Sequence, residues 1–322
     1  MERSKTMFET AVVGCGGIGN AHAAAWSRIP GAKLRFVVDT IPEKAHMLAE
    51  RYGCEALTNA AAIPKGIDCV SVATPPKGHY PVAKMLLERG FNVFCEKPLT
   101  LNVEKGEELE ALAKANEAKL GVGFKMRYEP IFQKAKELLP RVGPLISVVT
   151  TKCQMFSDRP DGQWIKDSGA MYELSIHDFD LISYITGLDP EDVLFARLGH
   201  RWGWQAEDSF SVVARYSGGV IANLQGYYCT KTTFQYRDLA ITFQGENGYM
   251  RVERPDRIVL HTDKYEIVEI AQDPVNTFDR ELTHFMAYIC GEEENPIPAS
   301  AAIRATRLIE AARAASGDPP LL

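Results

Sequence analysis

Short apolar runs alternate with stretches of helical period through the first third of the chain, a rhythm that predicts a parallel sheet covered on both faces. Strands are expected at 10–13, 34–38, 55–57, 68–73, 92–95 and 120–123, and helices at 18–28, 42–52, 79–89 and 103–119. Repeated strand and helix in that order is the pattern of a doubly wound α/β half. After Arg127 the rhythm changes to a helix at 130–139, a long strand at 145–156 and a helix over 169–185. Strands then dominate, at 193–198, 209–216, 220–228, 239–244, 248–253 and 257–261, separated by turns such as Ser217-Gly218-Gly219 and Glu246-Asn247-Gly248. Such turn chemistry joins antiparallel neighbours. Helices at 278–289 and 299–315 close the chain. The predicted fold is an α/β half with a parallel sheet, followed by an α+β half with a large, mostly antiparallel open sheet.

Length supports this division, because 322 residues exceed the size at which one core keeps growing. The expected domains are 1–125 and 126–322. Charge changes the picture only by exclusion. There are 36 basic and 42 acidic residues, a net of −6, and no block of Lys or Arg that marks a nucleic-acid footprint. A small molecule is the expected partner. The seven cysteines are widely spaced without a CxxC pair, which argues against a disulfide framework and a zinc ribbon. No apolar signal core opens the sequence and no run of eighteen apolar residues occurs, so a reducing cytoplasm and no membrane are expected.

Candidate chemistry begins at Gly14-Cys15-Gly16-Gly17-Ile18-Gly19, a GxGxxG run directly after a predicted strand and at the start of a predicted helix. One glycine makes the tight turn, the second admits a pyrophosphate to the backbone, and the third lets helix and strand pack closely. The helix N-terminus supplies N–H donors and partial positive charge for the anion. Asp39 lies twenty residues past Gly19, after the second strand, where a carboxylate accepts from both ribose hydroxyls. It would repel a 2′-phosphate, so NAD is favoured over NADP, although Lys33 and Arg35 nearby soften that preference.

Glu96-Lys97-Pro98 ends the apolar run 92–95. Proline stops strand pairing there, which places Lys97 at the carboxyl edge of a strand, where ligands bind in open α/β sheets. On the predicted helix 169–185, Glu173, His177 and Asp180 are four and then three residues apart and share one face. Their neighbours Leu174, Ile176, Phe179, Leu181 and Ile182 are apolar, so the polar stripe is expected to line a cleft. A metal is a second reading of the same stripe. Against it, His200, His261 and His284 are scattered and supply no further ligand, and Lys97 would repel a cation.

The Gly14–Gly19 loop, Ala73-Thr74-Pro75-Pro76 with His79, and Glu96-Lys97-Pro98-Leu99 together resemble the glucose-fructose oxidoreductase and inositol dehydrogenase family. The resemblance extends through Gly123-Phe124-Lys125-Met126-Arg127-Tyr128 and Ser168-Gly169-Ala170 to Asp180, and so covers the whole chain. It implies a Rossmann half followed by an open sheet used for homodimers or homotetramers, and oxidation of a secondary alcohol of a sugar or cyclitol. It further implies that Lys97, Glu173 and His177 form the catalytic group and that Thr74, Pro75, His79 and Glu96 join the glycine loop in holding the cofactor. The expected substrate contacts are Arg127, Tyr128, Trp164, Asp167 and Asp180, with the Trp202-Gly203-Trp204 loop a further candidate. Two departures stand out: Glu173 where Asp is usual, and Ser175 where Gly is common. The ammonium of Lys97 and the imidazole of His177 are expected to converge over the nicotinamide ring, Lys97 holding the substrate hydroxyl and His177 accepting its proton while hydride leaves the carbon that bears it. Tyr227, Tyr228, Phe234 and Tyr236 mark an aromatic strand region expected to form oligomer contacts. Two other functions fit parts of this pattern. A hydrolase that uses bound NAD to oxidise a sugar carbon transiently and ease elimination is similar to some relatives of this family, whereas a dinucleotide-binding regulator needs no Lys97 and His177.

Overall fold

The computed structural model describes residues 7–156, 163–230, 237–271 and 273–321. The chain forms two compact units, Met1–Lys125 with Val275–Ile303, and Met126–Pro274 with Arg304–Leu322. Residues 275–303, expected in the second domain, thus belong to the first unit.

In the first unit six parallel strands carry the order β3-β2-β1-β4-β5-β6. They are β1 (Phe8–Val13), β2 (Ala32–Val38), β3 (Glu55–Leu57), β4 (Cys69–Val72), β5 (Val93–Glu96) and β6 (Leu120–Gly123). Strands β4, β5 and β6 are buried along their whole length, as a sheet covered on both faces requires. Crossovers are made by α1 (Gly17–Arg28), α2 (Pro42–Tyr52), α3 (Pro76–Glu88) and α4 (Val103–Ala115). Helix α4 stops short of the expected residue 119 because Glu117 takes a positive φ of 52°. The strand order reverses between β1 and β4, so the helices that follow these two strands cover opposite faces of the sheet and leave a crevice at the carboxyl ends. Helix α8 (Thr277–Cys290) and the segment after it complete the unit. The Val122 amide donates to Ile297 O at 3.1 Å and Asn295 Nδ2 to Leu120 O at 3.0 Å, which covers the open edge of β6.

The second unit is built on eight strands in the order β14-β13-β12-β11-β7-β10-β9-β8. They are β7 (Leu145–Met155), β8 (Pro190–Gly199), β9 (Ser209–Tyr216), β10 (Val220–Cys229), β11 (Arg237–Gly245), β12 (Gly248–Glu253), β13 (Arg257–His261) and β14 (Tyr265–Glu269). Every pairing is antiparallel except β7 with β10. Strand β14 has no counterpart among the strands expected from apolar runs; it is an edge strand with alternating exposure and two glutamates, too polar to form such a run. On β10 alternate residues are buried, which presents Val220, Ala222, Leu224 and Tyr228 to the helical layer. That layer holds α5 (Pro130–Leu138), α6 (Gln163–Gly169) and α7 (Ile176–Thr186), and the part of α9 (Ala299–Ser316) from Arg304 onward belongs to the same unit. The single helix expected over 169–185 is in fact three pieces, because a π-helical segment, Ala170–Ser175, lies between α6 and α7. Among the described residues no helix is long and apolar enough to cross a membrane.

Candidate active site

The nucleotide side of the site follows from the glycines. Gly14 has φ +98°, and a Cβ there would meet Ala73 O at 2.6 Å, so only glycine lets the loop after β1 lie against the loop after β4. A Cβ on Gly19 would come within 1.7 Å of Gly14 O, which is the close helix–strand packing expected of the third glycine. At Gly16 and Gly17 a Cβ would meet nothing within 4 Å. That open space sits at the start of α1, whose first turn carries no acidic residue and whose leading N–H groups have no partner within the helix. These residues fit the pyrophosphate of a dinucleotide. Ile18 is exposed beside them. Asp39 is half-buried; its Oδ2 accepts from the Cys15 amide at 2.8 Å and its Oδ1 from the Ile41 amide at 2.9 Å. Each carboxylate oxygen accepts at two positions, so both retain capacity for ribose hydroxyls. Burial, with Asp39 adding to it, pushes the Cys15 thiol up to about 12, which keeps it an uncharged wall of the loop.

Other residues expected on the cofactor bind the protein. His79 is buried, with Nδ1 2.6 Å from Pro98 O and Nε2 2.7 Å from Thr74 O. It therefore ties the loop after β4, which includes Thr74 and Pro75, to the loop after β5. Burial pushes its pKa down although both carbonyls favour the charged form, and a neutral imidazole carries one N–H and so donates to one of the two carbonyls at a time. Glu96 is also buried; Oε1 lies 2.9 Å from His22 Nε2, and Oε2 accepts from the Lys97 amide at 3.1 Å. Burial pushes this carboxyl up, but His22, Lys125 and Lys97 outweigh it and hold it below the usual range. A Cβ on Gly123 would sit 2.9 Å from the Glu96 carboxylate, so β6 needs glycine opposite it. Lys97 itself is half-buried directly after β5, and the bond to Pro98 is cis.

In the second unit the other group of expected residues lies on one continuous stretch. Trp164 and Asp167 are half-buried on α6, Glu173 is buried in the π-helical segment and His177 is buried in the first turn of α7. Because a π-turn intervenes, Glu173 and His177 do not stand in the register of an uninterrupted α-helix. Single π-turns within helices occur often at functional sites. Asp180 accepts from Arg127 through both oxygens, with Nε–Oδ2 at 2.8 Å and Nη2–Oδ1 at 2.5 Å, so these two expected substrate contacts are engaged with each other. Tyr128 is buried beside Arg127 in sequence. Trp204 packs 4.5 Å from Phe156 and 5.2 Å from Tyr228, while Trp202 and Tyr227 are exposed. Phe234 and Tyr236 lie outside the described residues.

Sequence reasoning missed several members of this framework. Lys152 donates to Asp178 at 2.6 Å with both side chains buried, and Asp178 follows His177 directly. Its signal was available: Lys152 occupies the inward phase of β7, shared with Val148 and Thr150. His22 lies three residues past Gly19 on α1, and Glu281 on α8 is buried with neither carboxylate oxygen hydrogen-bonded. Nothing local in the sequence marks either as part of the Glu96 environment.

The chain matches the profile of an oxidoreductase family with an NAD-binding Rossmann fold over residues 8–124, and that of the GFO/IDH/MocA C-terminal domain over residues 132–251. It is similar to inositol 2-dehydrogenase of Rhizobium meliloti (strain 1021), 30% identical over 267 residues covering 78% of each chain. It is also similar to scyllo-inositol 2-dehydrogenase (NAD(+)) of Bacillus subtilis (strain 168), 32% identical over 56% of this chain and 54% of that one. Among solved structures, an oxidoreductase from Agrobacterium radiobacter in complex with NAD+, L-tartaric acid and magnesium superposes with a TM-score of 0.86 at 20% identity, over 97% of both chains. With a glycine loop built for a dinucleotide, profiles matched in both units and a relative alike over most of its length, the chain belongs to the GFO/IDH/MocA family of oxidoreductases with an NAD-binding Rossmann fold.

Proposed function

We propose that this protein oxidises a secondary alcohol of a cyclitol or sugar, with His177 as general base and Lys97 stabilising the alkoxide. The observation that carries the reading is the position of Lys97. It follows β5 at the carboxyl edge of the parallel sheet, the same edge at which β1 delivers Gly14–Gly19 and β2 delivers Asp39. Bound NAD supplies the hydride acceptor. His177 takes the hydroxyl proton, a task suited to an imidazole whose ordinary pKa lies near neutrality. Lys97 donates a charge-assisted hydrogen bond to the oxygen as negative charge develops on it. Glu173 orients the imidazole or binds a neighbouring hydroxyl. Trp164 and Asp167, on the segment leading to the base, are the proposed substrate contacts, with an aromatic face for C–H surface and a carboxylate for hydroxyls. The names of the inositol dehydrogenases that the chain resembles support a cyclitol. Exposed Leu194, Phe195, Tyr227, Tyr265 and Ile267 on strands of the open sheet support a homodimer or homotetramer.

The test is NADH formation from myo-inositol, scyllo-inositol and hexoses by wild type, Lys97→Ala, His177→Ala and the double variant. Each single change should leave NAD affinity nearly intact and lower kcat by about a hundredfold or more. The double variant should lose less than the product of the two, because groups acting on one oxygen are not independent. Normal turnover in either single variant refutes the roles, and cleavage of an aryl glycoside without net NADH would assign the chain to transient oxidation instead.

A further inference from the structure

A buried pair far from the base in sequence, Glu207 and Arg313, holds the start of the segment that carries it. The π-helical segment Ala170–Ser175 begins at Gly169, which has no side chain to cap the leading N–H groups and sits at φ +80°. Helix starts leave such donors unsatisfied unless an outside acceptor reaches them. Glu207 supplies two acceptors from another part of the chain: its backbone oxygen takes the Ala170 amide at 2.8 Å, and Oε1 takes the Met171 amide at 2.9 Å. A Cβ on Gly169 would lie 2.6 Å from the Glu207 carboxylate, so glycine is needed for this approach as well as for the backbone angle. The second carboxylate oxygen accepts from Arg313 Nη1 on α9. Arg313 in turn donates from Nε and Nη2 to Pro319 O, at 3.0 and 2.8 Å. Glu207 is 0% and Arg313 2% exposed, so water does not substitute for either partner. Burial pushes the Glu207 carboxyl up, and the Arg313 charge and Met171 amide oppose this. Without the guanidinium, the carboxylate would be a buried, uncompensated charge.

We infer that Glu207 and Arg313 are positioning residues: together they fix the first turn of the π-helical segment and thereby the register of Glu173 and His177. The inference rests on the proposed role of His177 as base. The capped turn lies two residues before Glu173 and six before His177, and Gly169 at its start offers no side-chain cap. The Lys152–Asp178 pair anchors the residue after the base, so the segment is pinned on both sides of His177. A shift of about 1 Å in a base costs as much as a hundredfold in rate, which makes such pins kinetically visible.

The experiment compares Arg313→Met, Arg313→Lys, Glu207→Gln and Glu207→Gln/Arg313→Met with wild type and His177→Ala in the full-length protein. The readouts are kcat, KM and the pH profile for NAD-linked cyclitol oxidation, NAD affinity by titration, and amide exchange of the peptide spanning residues 169–177. Arg313→Met should lower kcat about tenfold or more, displace the pH profile, leave NAD affinity within about twofold, and raise exchange selectively over 169–177. Arg313→Lys, which keeps the charge without the fork, should fall between. The double variant should recover most of the loss, because the Gln amide oxygen still accepts from the Met171 amide and no longer needs a cation. Unchanged kinetics and exchange in Arg313→Met, exchange raised evenly over the second unit, or no recovery in the double variant would each overturn the inference. If His177→Ala retains turnover, the proposed base fails instead, and the exchange data still decide whether the pair fixes the turn.

Discussion

Arg127 and Asp180 meet in a buried, two-pronged ion pair, with Nε–Oδ2 at 2.8 Å and Nη2–Oδ1 at 2.5 Å and both side chains at most 9% exposed. Burial disfavours the Arg127 charge, but Asp180 more than compensates and raises the guanidinium pKa. The Tyr184 ring lies 5.0 Å from the same guanidinium. A pair so placed holds α7 to the short helical turn Lys125–Tyr128, and we predict that its loss is felt first as instability. Arg127→Ala or Asp180→Ala should cost about 3–5 kcal/mol, because each leaves a buried charge without its partner. Chemical denaturation checks this. Wild-type stability with a raised KM would instead place these side chains on the substrate. Arg127→Lys should rescue poorly, since a single ammonium cannot make both bonds.

The glycine loop separates a packing role from a binding role. Gly19→Ala should destabilise the protein by more than the roughly 1–3 kcal/mol of ordinary overpacking, because its Cβ would fall 1.7 Å from Gly14 O, a backbone atom. Gly17→Ala has open space around the new methyl, so thermal stability should hold while NAD affinity drops as the methyl enters the pyrophosphate approach. Melting curves with and without NAD distinguish the two variants.

Asp39 both props the loop and offers its carboxylate to the ribose. Asp39→Ala should weaken NAD binding by about 1.5–3 kcal/mol, the worth of hydrogen bonds to a charged group, and should weaken NADP binding less. Calorimetric titration of both dinucleotides measures the ratio. An unchanged preference for NAD would place selectivity elsewhere.

Glu281 gives a pH dependence of opposite sign to Glu96. Burial first, and the Glu96 charge second, raise the Glu281 carboxyl well above its ordinary value, and neither of its oxygens is hydrogen-bonded. The folded state therefore keeps a proton that the unfolded chain releases. Its contribution to stability is full below the ordinary carboxylate pKa, near about 4, and is lost as pH rises toward the folded value. For Glu96, held below its ordinary value, the contribution is present above that value and is lost as pH falls through the folded pKa. Glu281→Gln should then melt higher than wild type, by a margin that grows as pH rises from about 4 toward neutrality. A constant margin across that range would show that Glu281 does not take up the proton.

The sequence alone determined what depends on local chemistry and on period. Continuous apolar runs marked the parallel strands, alternation with turn residues marked the second sheet, and glycine spacing after β1 with Asp39 after β2 marked the dinucleotide loop, since each is a property of neighbours in the chain. Lys97 at a strand end and His177 within a buried helix were legible for the same reason. Tertiary structure alone decided which polar side chains are spent on the protein itself. Glu96 turns to His22, His79 bridges two carbonyls, Arg127 closes on Asp180, and Glu207 reaches the amide of Met171 from 36 residues away. It also decided that a π-turn, not a continuous helix, leads to His177. The physical reason is common to all: a buried charge or an uncapped helix start must find a partner, and that partner is fixed by the packing of distant segments, which no local period records.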